Sequence, residues 1–311
     1  MARLGLLLAG AAVVLLSLAC GDSDSGGKSI TLHIVNQNIL HGIIDEDPAA
    51  EPFNRYAERI ELFADAVGAD KPDVVLLQEV VGSPGADYPD TRAILLDALG
   101  PGYSAVFGNF LGEEIDSPGL GQMTFSGLPI LSSENRTVSE IRAVHHVAVQ
   151  SDLGVIDLYN VHLEGTGAVA DVTQDDSVVE IQNVLSFIDE TRSGSGPVIL
   201  TGDFNAEPQD PSIQRVLAAN YIDALAAGGD ATCERQGDPG CSSGTIPLGD
   251  NPENLTDHRI DYIFVLPGDA VDIEIESAGR YLDEPVDIGG GRLLWVSDHI
   301  GVQAVLKLKS K

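Results

Sequence analysis

Basic residues are scarce in this chain. Seventeen Lys and Arg face 48 Asp and Glu, for a formal net charge of −31. A protein that holds polyanions by bulk electrostatics carries the opposite balance, so that class is excluded, and the acidity reads as solubility or a salty habitat. Cysteine is scarcer still, with three in 311 residues. Cys233 and Cys241, in "CERQGDPGC", have no second Cys or His pair nearby at zinc-ligand spacing. In an exported chain they read instead as a disulfide, closing a short loop worth about 2.5 kcal/mol in the chain-entropy model. No D-x-[DN]-x-[DN]-G loop is present, which removes an EF-hand-like calcium-binding structural lipoprotein. "GGKS" at 26–29 resembles the end of a phosphate loop. Asp22 stands where that loop requires Gly, and a strand follows rather than precedes it. No internal repeat and no second domain boundary interrupts the chain.

A span-length apolar run is also missing. "LGLLLAGAAVVLLSLA" has 16 residues, short of the roughly 20 a bilayer crossing needs. With Arg3 ahead of it and small residues at its end, it reads as a secretory signal over residues 1–19. The run stops at Cys20. "LSLAC" resembles a bacterial lipoprotein box, in which the Cys is acylated and becomes the mature N-terminus, although Ser17 and Leu18 depart from its usual residues. Residues 20–29, polar and Gly-rich, read as a flexible tether, and 30–311 as one large domain with a real core. The expected location is therefore the cell envelope, with a membrane surface reached through the lipid anchor, or the exterior.

What is present is a series of short strands that end in polar residues. "ITLHIVNQN" reads as a strand, and "RYAERIELFADAVGAD" as a helix with Ile60, Phe63, Ala64 and Val67 on one face. "KPDVVLLQEV" has the continuous apolar run of a strand buried on both faces. Gly- and Pro-rich loops are expected around 82–90 and 112–121. "EIRAVHHVAVQ" and "GVIDLYNVHLEG" read as a strand pair, "DDSVVEIQNVLSFIDETRSG" as a helix with a Gly stop, and 211–219 as a further helix. "RIDYIFVL" and "HIGVQAVLKL" are the last two strands.

"PVILTGDFNAEP" carries the clearest chemical signal. Residues two apart on an extended segment point to one side, so Asp203 and Asn205 should face one spot; the plainer reading is a strand followed by an Asx turn. Asn38, Glu79, His162 and Asp203 all fall at or near the C-terminal ends of strands, whereas Asp261, Asp298 and His299 fall at the starts of the last two. If those two run opposite to the others, all seven residues converge on one edge.

"NQNILHG", "PDVVLLQEV", "GQMTFSGLPIL", "YNVHLEG", "VILTGDFNAEP", "HRIDYIFV" and "SDH" occur in this order. Each is weak alone; together they resemble the endonuclease/exonuclease/phosphatase superfamily, of DNase I-like nucleases, inositol-polyphosphate phosphatases and sphingomyelinases. The resemblance covers residues 30–308 and implies a four-layer α/β sandwich, two mixed β-sheets with helices packed outside. It implies Mg²⁺ or Mn²⁺ at Glu79, supported by Asn38, with Asp298 as a second metal-side carboxylate. Asp203 would orient or deprotonate the attacking water, and Asn205 would hold that water or a phosphoryl oxygen. His299 would stabilise transition-state charge with Asp261 fixing its tautomer. His162 would contact phosphate or act as acid, Asn160 would support the site or contact substrate, and His41 is a further candidate contact. Gly127 stands where relatives often carry a basic residue, which reads as the loss of a phosphate contact near the site.

The implied activity is a metal-dependent phosphoesterase that hydrolyses a phosphodiester by water attack, on a small, lipid or nucleic-acid substrate. The alternatives are a secreted DNase I-like endonuclease and a non-catalytic surface-binding lipoprotein on the same fold. No obligate protein partner is implied, and a monomer is expected.

Overall fold

A computed structural model describes residues 27–41, 55–82, 90–164, 173–244 and 256–311. The leader, Cys20 and most of the tether lie outside the described residues. The described residues form sixteen strands: β1 (Ser29–Asn38), β2 (Val74–Gly82), β3 (Ser104–Asn109), β4 (Gly119–Ser126), β5 (Ile130–Thr137), β6 (Ala143–Ser151), β7 (Gly154–His162), β8 (Val198–Asp203), β9 (Ile222–Asp223), β10 (Ser243–Gly244), β11 (Thr256–His258), β12 (Asp261–Leu266), β13 (Val271–Tyr281), β14 (Val286–Asp287), β15 (Leu293–Leu294) and β16 (Gly301–Ser310). The helices are α1 (Tyr56–Asp70), α2 (Thr91–Leu99), α3 (Gln174–Thr191), α4 (Pro211–Ala218) and α5 (Ala224–Gly228).

Two six-stranded sheets carry the architecture, in the orders β13-β16-β1-β2-β4-β3 and β5-β6-β7-β8-β12-β9. Each contains one parallel pair, β1 with β2 and β7 with β8; the other pairs are antiparallel. A parallel pair needs a long crossover, which α1 and α3 supply. Ile60, Phe63 and Val67 of α1 pack on Val35, Val75 and Leu77 of the first sheet. Ile181, Val184, Phe187 and Ile188 of α3 pack on Tyr159, Val161 and Leu200 of the second. Between the sheets, Leu32, Ile34, Val74 and Leu76 meet Val147, Val149, Leu158 and Ile199. The result is the expected four-layer sandwich of two mixed sheets with helices outside.

The sheets face each other with one chemical gradient. Positions two apart share a face, so the inner row of β1 runs Leu32, Ile34, Asn36, Asn38 and that of β7 runs Ile156, Leu158, Asn160, His162. The gap is apolar at one end, neutral and polar in the middle, and charged where β1, β7 and β8 end. Because β12 runs antiparallel to β8, Asp261 pairs directly with Asp203. Because β16 runs antiparallel to β1, the residues just before it, Asp298 and His299, arrive at the same end. Convergence of the seven residues therefore follows from the sheet topology.

Cys233 and Cys241 are disulfide-bonded, eight residues apart. The bond closes the loop that leads into Ser242, and the backbone N–H of Ile300 donates to Ser242 O (2.7 Å). It therefore fixes a segment lying directly beside His299. Gly127 corrects one expectation. Its N–H donates to Asp73 O beside Val74, which pairs with Ser126. That is the start of β2, roughly 16 Å along the strand from Glu79, so a side chain there would lie far from the site.

Candidate active site

Asn38, the last residue of β1, occupies the centre. Its Nδ2 donates both to Glu79 Oε1 and to Asp203 Oδ2, each at 3.1 Å, and its Oδ1 accepts from Leu40 N. The carboxamide thus joins a carboxylate of the first sheet to one of the second, and turns an N–H rather than an oxygen toward them. Glu79 reaches this place through an irregularity in β2, where the pairing with β4 skips between Leu77 and Val80. Its φ is 61°, in the left-handed region that a non-Gly residue enters at a cost of about 1–2 kcal/mol. His41 N donates to Glu79 Oε2 (3.0 Å) and His41 Nε2 lies 3.7 Å from the same oxygen. Burial alone would raise the Glu79 carboxyl; the neighbouring imidazoles of His162 and His41, with the hydrogen bonds from His41 N and Asn38 Nδ2, oppose it and hold it at about 2. It is an anion at any ordinary pH.

Asp203 ends β8. Gly202 before it is required, since a Cβ there would fall 1.9 Å from Val161 O on the neighbouring strand. Asp203 Oδ1 accepts from Asn205 N (2.9 Å), the Asx turn that the plainer reading of this segment anticipated. Asn205 itself has φ 47°, and its Nδ2 donates to Leu163 O (2.9 Å). Asp203 is 1% exposed. Burial raises its carboxyl to about 7, with the charge of Asp261 adding and that of His299 opposing.

Two histidines flank Asp203 Oδ2, His162 Nε2 at 3.6 Å and His299 Nε2 at 3.7 Å. Their environments push them apart. Burial, then the positive charge of Arg142, lowers His162 to about 3 and leaves it neutral. Burial also opposes charge on His299, yet Asp261 and Asp203 hold it well above the ordinary histidine value. His299 Nδ1 donates to Asp261 Oδ2 at 2.9 Å, and Ser242 Oγ donates to the same oxygen at 2.6 Å. One carboxylate is thereby bracketed by a neutral and a cationic imidazole, the divergence that marks acid and base partners in one site. Asp298 is half-buried and accepts from Ser297 Oγ (3.2 Å). Asn160 is fully buried, donates to Leu77 O and Met123 O, and accepts from Gln78 Nε2. Its amide ties the two sheets together.

Four contributors escape a reading of the sequence alone. Arg59, 1% exposed on α1, donates to Ile39 O, Leu40 O and Val296 O. It holds both backbone segments that enter the site. Ser242 orients Asp261. Phe110 packs edge-on to His162 with centroids 5.4 Å apart, and the Arg142 guanidinium lies 4.9 Å from the Phe110 centroid. Arg142 Nε is buried without a partner, and no carboxylate among the described residues is in ion-pair contact with this side chain. An Arg directly ahead of the apolar "AVHHVAV" was the available signal.

Behind Arg142, Glu180 of α3 is 3% exposed. Its Oε2 accepts from Glu164 N, and its Oε1 has no partner. Burial raises its carboxyl from 4.5 to about 7, the hydrogen bond from Glu164 opposing. The folded-state value is the higher, so stability from this group is fully present below about 4.5 and is lost as pH rises through about 7, a difference of about 3 kcal/mol. Glu180→Gln, neutral at every pH, is expected to raise the melting temperature above pH 7 and change it little near pH 4.5. Melting curves of both proteins across this range check the crossover.

The chain belongs to the Endonuclease/Exonuclease/phosphatase family, whose match spans residues 35–299. It is 28% identical over 265 residues to a Drosophila melanogaster protein described as "Putative neutral sphingomyelinase", covering 80% of this chain and 56% of that one. The chain thus spans little more than half that relative's length. Among solved structures, an endonuclease/exonuclease/phosphatase family protein from Bacteroides thetaiotaomicron superposes with a TM-score of 0.70 at 18% identity, over 90% of this chain and 96% of the other. A mannosyl-6-phosphatase from the same organism gives 0.65 at 18% identity, over 88% and 99%. D. rerio TDP2 bound to a single-strand DNA product gives 0.64 at 20% identity, over 89% and 98%.

Proposed function

We propose that this protein is a metal-dependent phosphoester hydrolase that drives water onto a phosphodiester. The Asn38 carboxamide carries the reading, because it places the ionised Glu79 and the buried Asp203 on one group. Glu79, with Asp298 as a second carboxylate, offers the hard anionic oxygens that suit Mg²⁺ or Mn²⁺. Asp203, Asp261 and His299 also bring three ligand atoms within 4.8 Å of one another. There, however, the His299 Nδ1 proton already occupies Asp261, so the cation is assigned to the Glu79 side. When bound, the metal would supply Lewis-acid stabilisation of charge on the phosphoryl oxygens.

The protein's own residues divide the remaining work. Asp203, held by Asn38 and Asn205, orients the water and takes its proton, its raised value placing it near neutrality where a general base works best. Cationic His299, kept in one tautomer by Asp261, donates from Nε2 to a non-bridging oxygen as negative charge develops. Neutral His162 serves the phosphate or the leaving oxygen. Arg142, which has no ion-pair partner among the described residues, stands beside it to take a phosphate oxygen.

The substrate reading follows from charge. A net −31 repels long polyanions, whereas a single phosphate held by metal, His299 and Arg142 is poorly screened. A small or membrane-presented phosphoester is therefore preferred over duplex DNA, and likeness to a protein described as a sphingomyelinase supports the lipid side. A lipid on Cys20 would place the site at a membrane surface through a short tether. The test is a panel of bis-p-nitrophenyl phosphate, sphingomyelin, phosphoinositides, RNA and plasmid DNA with Mg²⁺ or Mn²⁺. Lipid or small-ester kcat/KM should exceed that on DNA at fixed salt. A DNA value at least tenfold higher, roughly 1.4 kcal/mol of discrimination, would establish the endonuclease reading. No turnover of any member would leave the binding-protein reading.

A further inference from the structure

Behind the candidate site, the middle of the inter-sheet layer is polar and incompletely paired. Asn36 Nδ2, Gln78 Oε1, Gln122 Oε1, Thr124 Oγ1, Asn135 Oδ1 and both ring nitrogens of His145 are buried atoms without a hydrogen-bond partner among the described residues. Five of these six residues are fully buried, and Asn135 is half-buried. They form one cluster. Gln78 Nε2 donates to Asn36 Oδ1 (2.8 Å) and Asn160 Oδ1 (2.7 Å), joining the sheets. His145 pairs across β6 with Asn160 on one side and Asn135 on the other. Gly108 pairs with Gln122, and a Cβ on Gly108 would lie 2.7 Å from Asn135 Oδ1 and 3.0 Å from His145 Cδ2. Thr124 stands two residues from Gln122 on the same face of β4.

Native interiors leave few such groups unpaired, because each forfeits a hydrogen bond that water had supplied. Their chemistry identifies what pairs with them. Asn36 offers an N–H, Gln78, Gln122 and Asn135 offer carbonyl oxygens, and Thr124 and a neutral imidazole offer both. A cation would satisfy only the acceptors and an anion only the donors. Water satisfies both, using two to four partners per molecule.

We propose that a layer of bound water fills this part of the sandwich and supplies the hydrogen bond that orients His162. His162 lies two residues beyond Asn160 on the same face of β7, and its Nδ1 is itself buried without a hydrogen-bond partner among the described residues. With Nε2 beside Asp203, Nδ1 is the atom left to the water. His145, anchoring the layer from β6, is then a positioning residue that acts on His162 through water. The water layer stands on the buried groups alone, and its effect on turnover rests on the hydrolase reading above.

Two measurements separate those parts. Water magnetic relaxation dispersion on the purified protein should detect long-lived internal waters, and His145→Phe, which replaces the imidazole by an apolar ring, should lose a share of them. An equal count in parent and variant overturns the layer, whatever the activity. With bis-p-nitrophenyl phosphate, His145→Phe should lower kcat about tenfold with KM nearly unchanged, as for outer groups that orient an active-site ligand. His145→Gln, which stays polar, should recover most of it. Parental kcat in the Phe variant, or equal losses in both variants, overturns the link to His162. Should His145→Phe fail to fold, the near-isosteric Thr124→Val carries both measurements with the same outcomes.

Discussion

Glu79→Gln is expected to reduce Mg²⁺- or Mn²⁺-supported turnover to near background while the protein remains folded. The change removes one charge and almost no volume. Asn38 Nδ2 can still donate to the remaining side-chain oxygen, as it does now at 3.1 Å, and the backbone irregularity that positions residue 79 is untouched. What is lost is the anion. A carboxyl held at about 2 presents full negative charge at any working pH, whereas a neutral amide is a far weaker ligand for a hard cation. Calorimetric titration of Mg²⁺ or Mn²⁺ should show the heat of binding vanish together with activity, with melting within a few degrees of the parent in metal-free buffer. Parental turnover by the variant, or full activity of the parent after exhaustive EDTA treatment, would refute the assignment.

How far the sequence foretold this geometry depends on where each residue lies. The strands β2 and β8 were readable because a strand buried between layers is a continuous apolar run, as in "VVLLQE" and "VILTGD", and α1 carried a clear apolar face. That β1 pairs with β2 and β7 with β8 in parallel is known only from the fold. Convergence of Asp261 and His299 with Asp203 needed only the antiparallel return of the last two strands. β13 was missed although "VDIEIES" alternates at period two. As the edge strand of its sheet it exposes a charged row, with Lys307 and Lys309 reaching Glu276 and Glu274, and so lacks an apolar run. α2 was missed in a segment dominated by loop residues, although Asp90 caps it by accepting from Ala93 N. Gly127 was misplaced because motif order says nothing about which end of a strand a turn occupies.

The site's supporting residues were less legible for a different reason. Arg59 appears on a helix as an ordinary surface cation, and only its burial against three carbonyls reveals its task. Ser242 follows Cys241 in a loop whose path no local pattern fixes, and the disulfide brings it to Asp261. The polar inner row at Asn36, Gln78, Asn160 and His145 has the spacing of core positions but not their composition. Sequence periodicity marks such residues as inward-facing; only the facing sheet determines whether they find partners.

Asp203→Asn and His299→Ala should each slow turnover about 10²–10⁴-fold, the range for losing a proton-transfer or charge-stabilising group, yet they should differ in stability. Asp203 is already lifted to about 7 by burial, so a neutral amide of the same shape removes a buried charge at high pH. Its single amide oxygen can accept from only one of Asn38 Nδ2 and Asn205 N, which now bind different carboxylate oxygens, and its NH2 then faces the other donor. The two effects offset, so its melting temperature should stay within a few degrees of the parent's. His299→Ala has no such offset. It strips the cation from Asp261, which is 1% exposed and would keep only the hydrogen bond from Ser242 Oγ. Removing one partner of a buried pair costs about 3–5 kcal/mol because the other charge is stranded. Adding Asp261→Asn to His299→Ala should therefore restore much of the lost stability and none of the lost activity. Melting curves and bis-p-nitrophenyl phosphate turnover of the three proteins separate the two effects. Near-parental rates in both single variants would remove Asp203 and His299 from the mechanism. Full stability in His299→Ala would mean that Asp261 is not held by an imidazolium, and the cationic role assigned to His299 would fall with it.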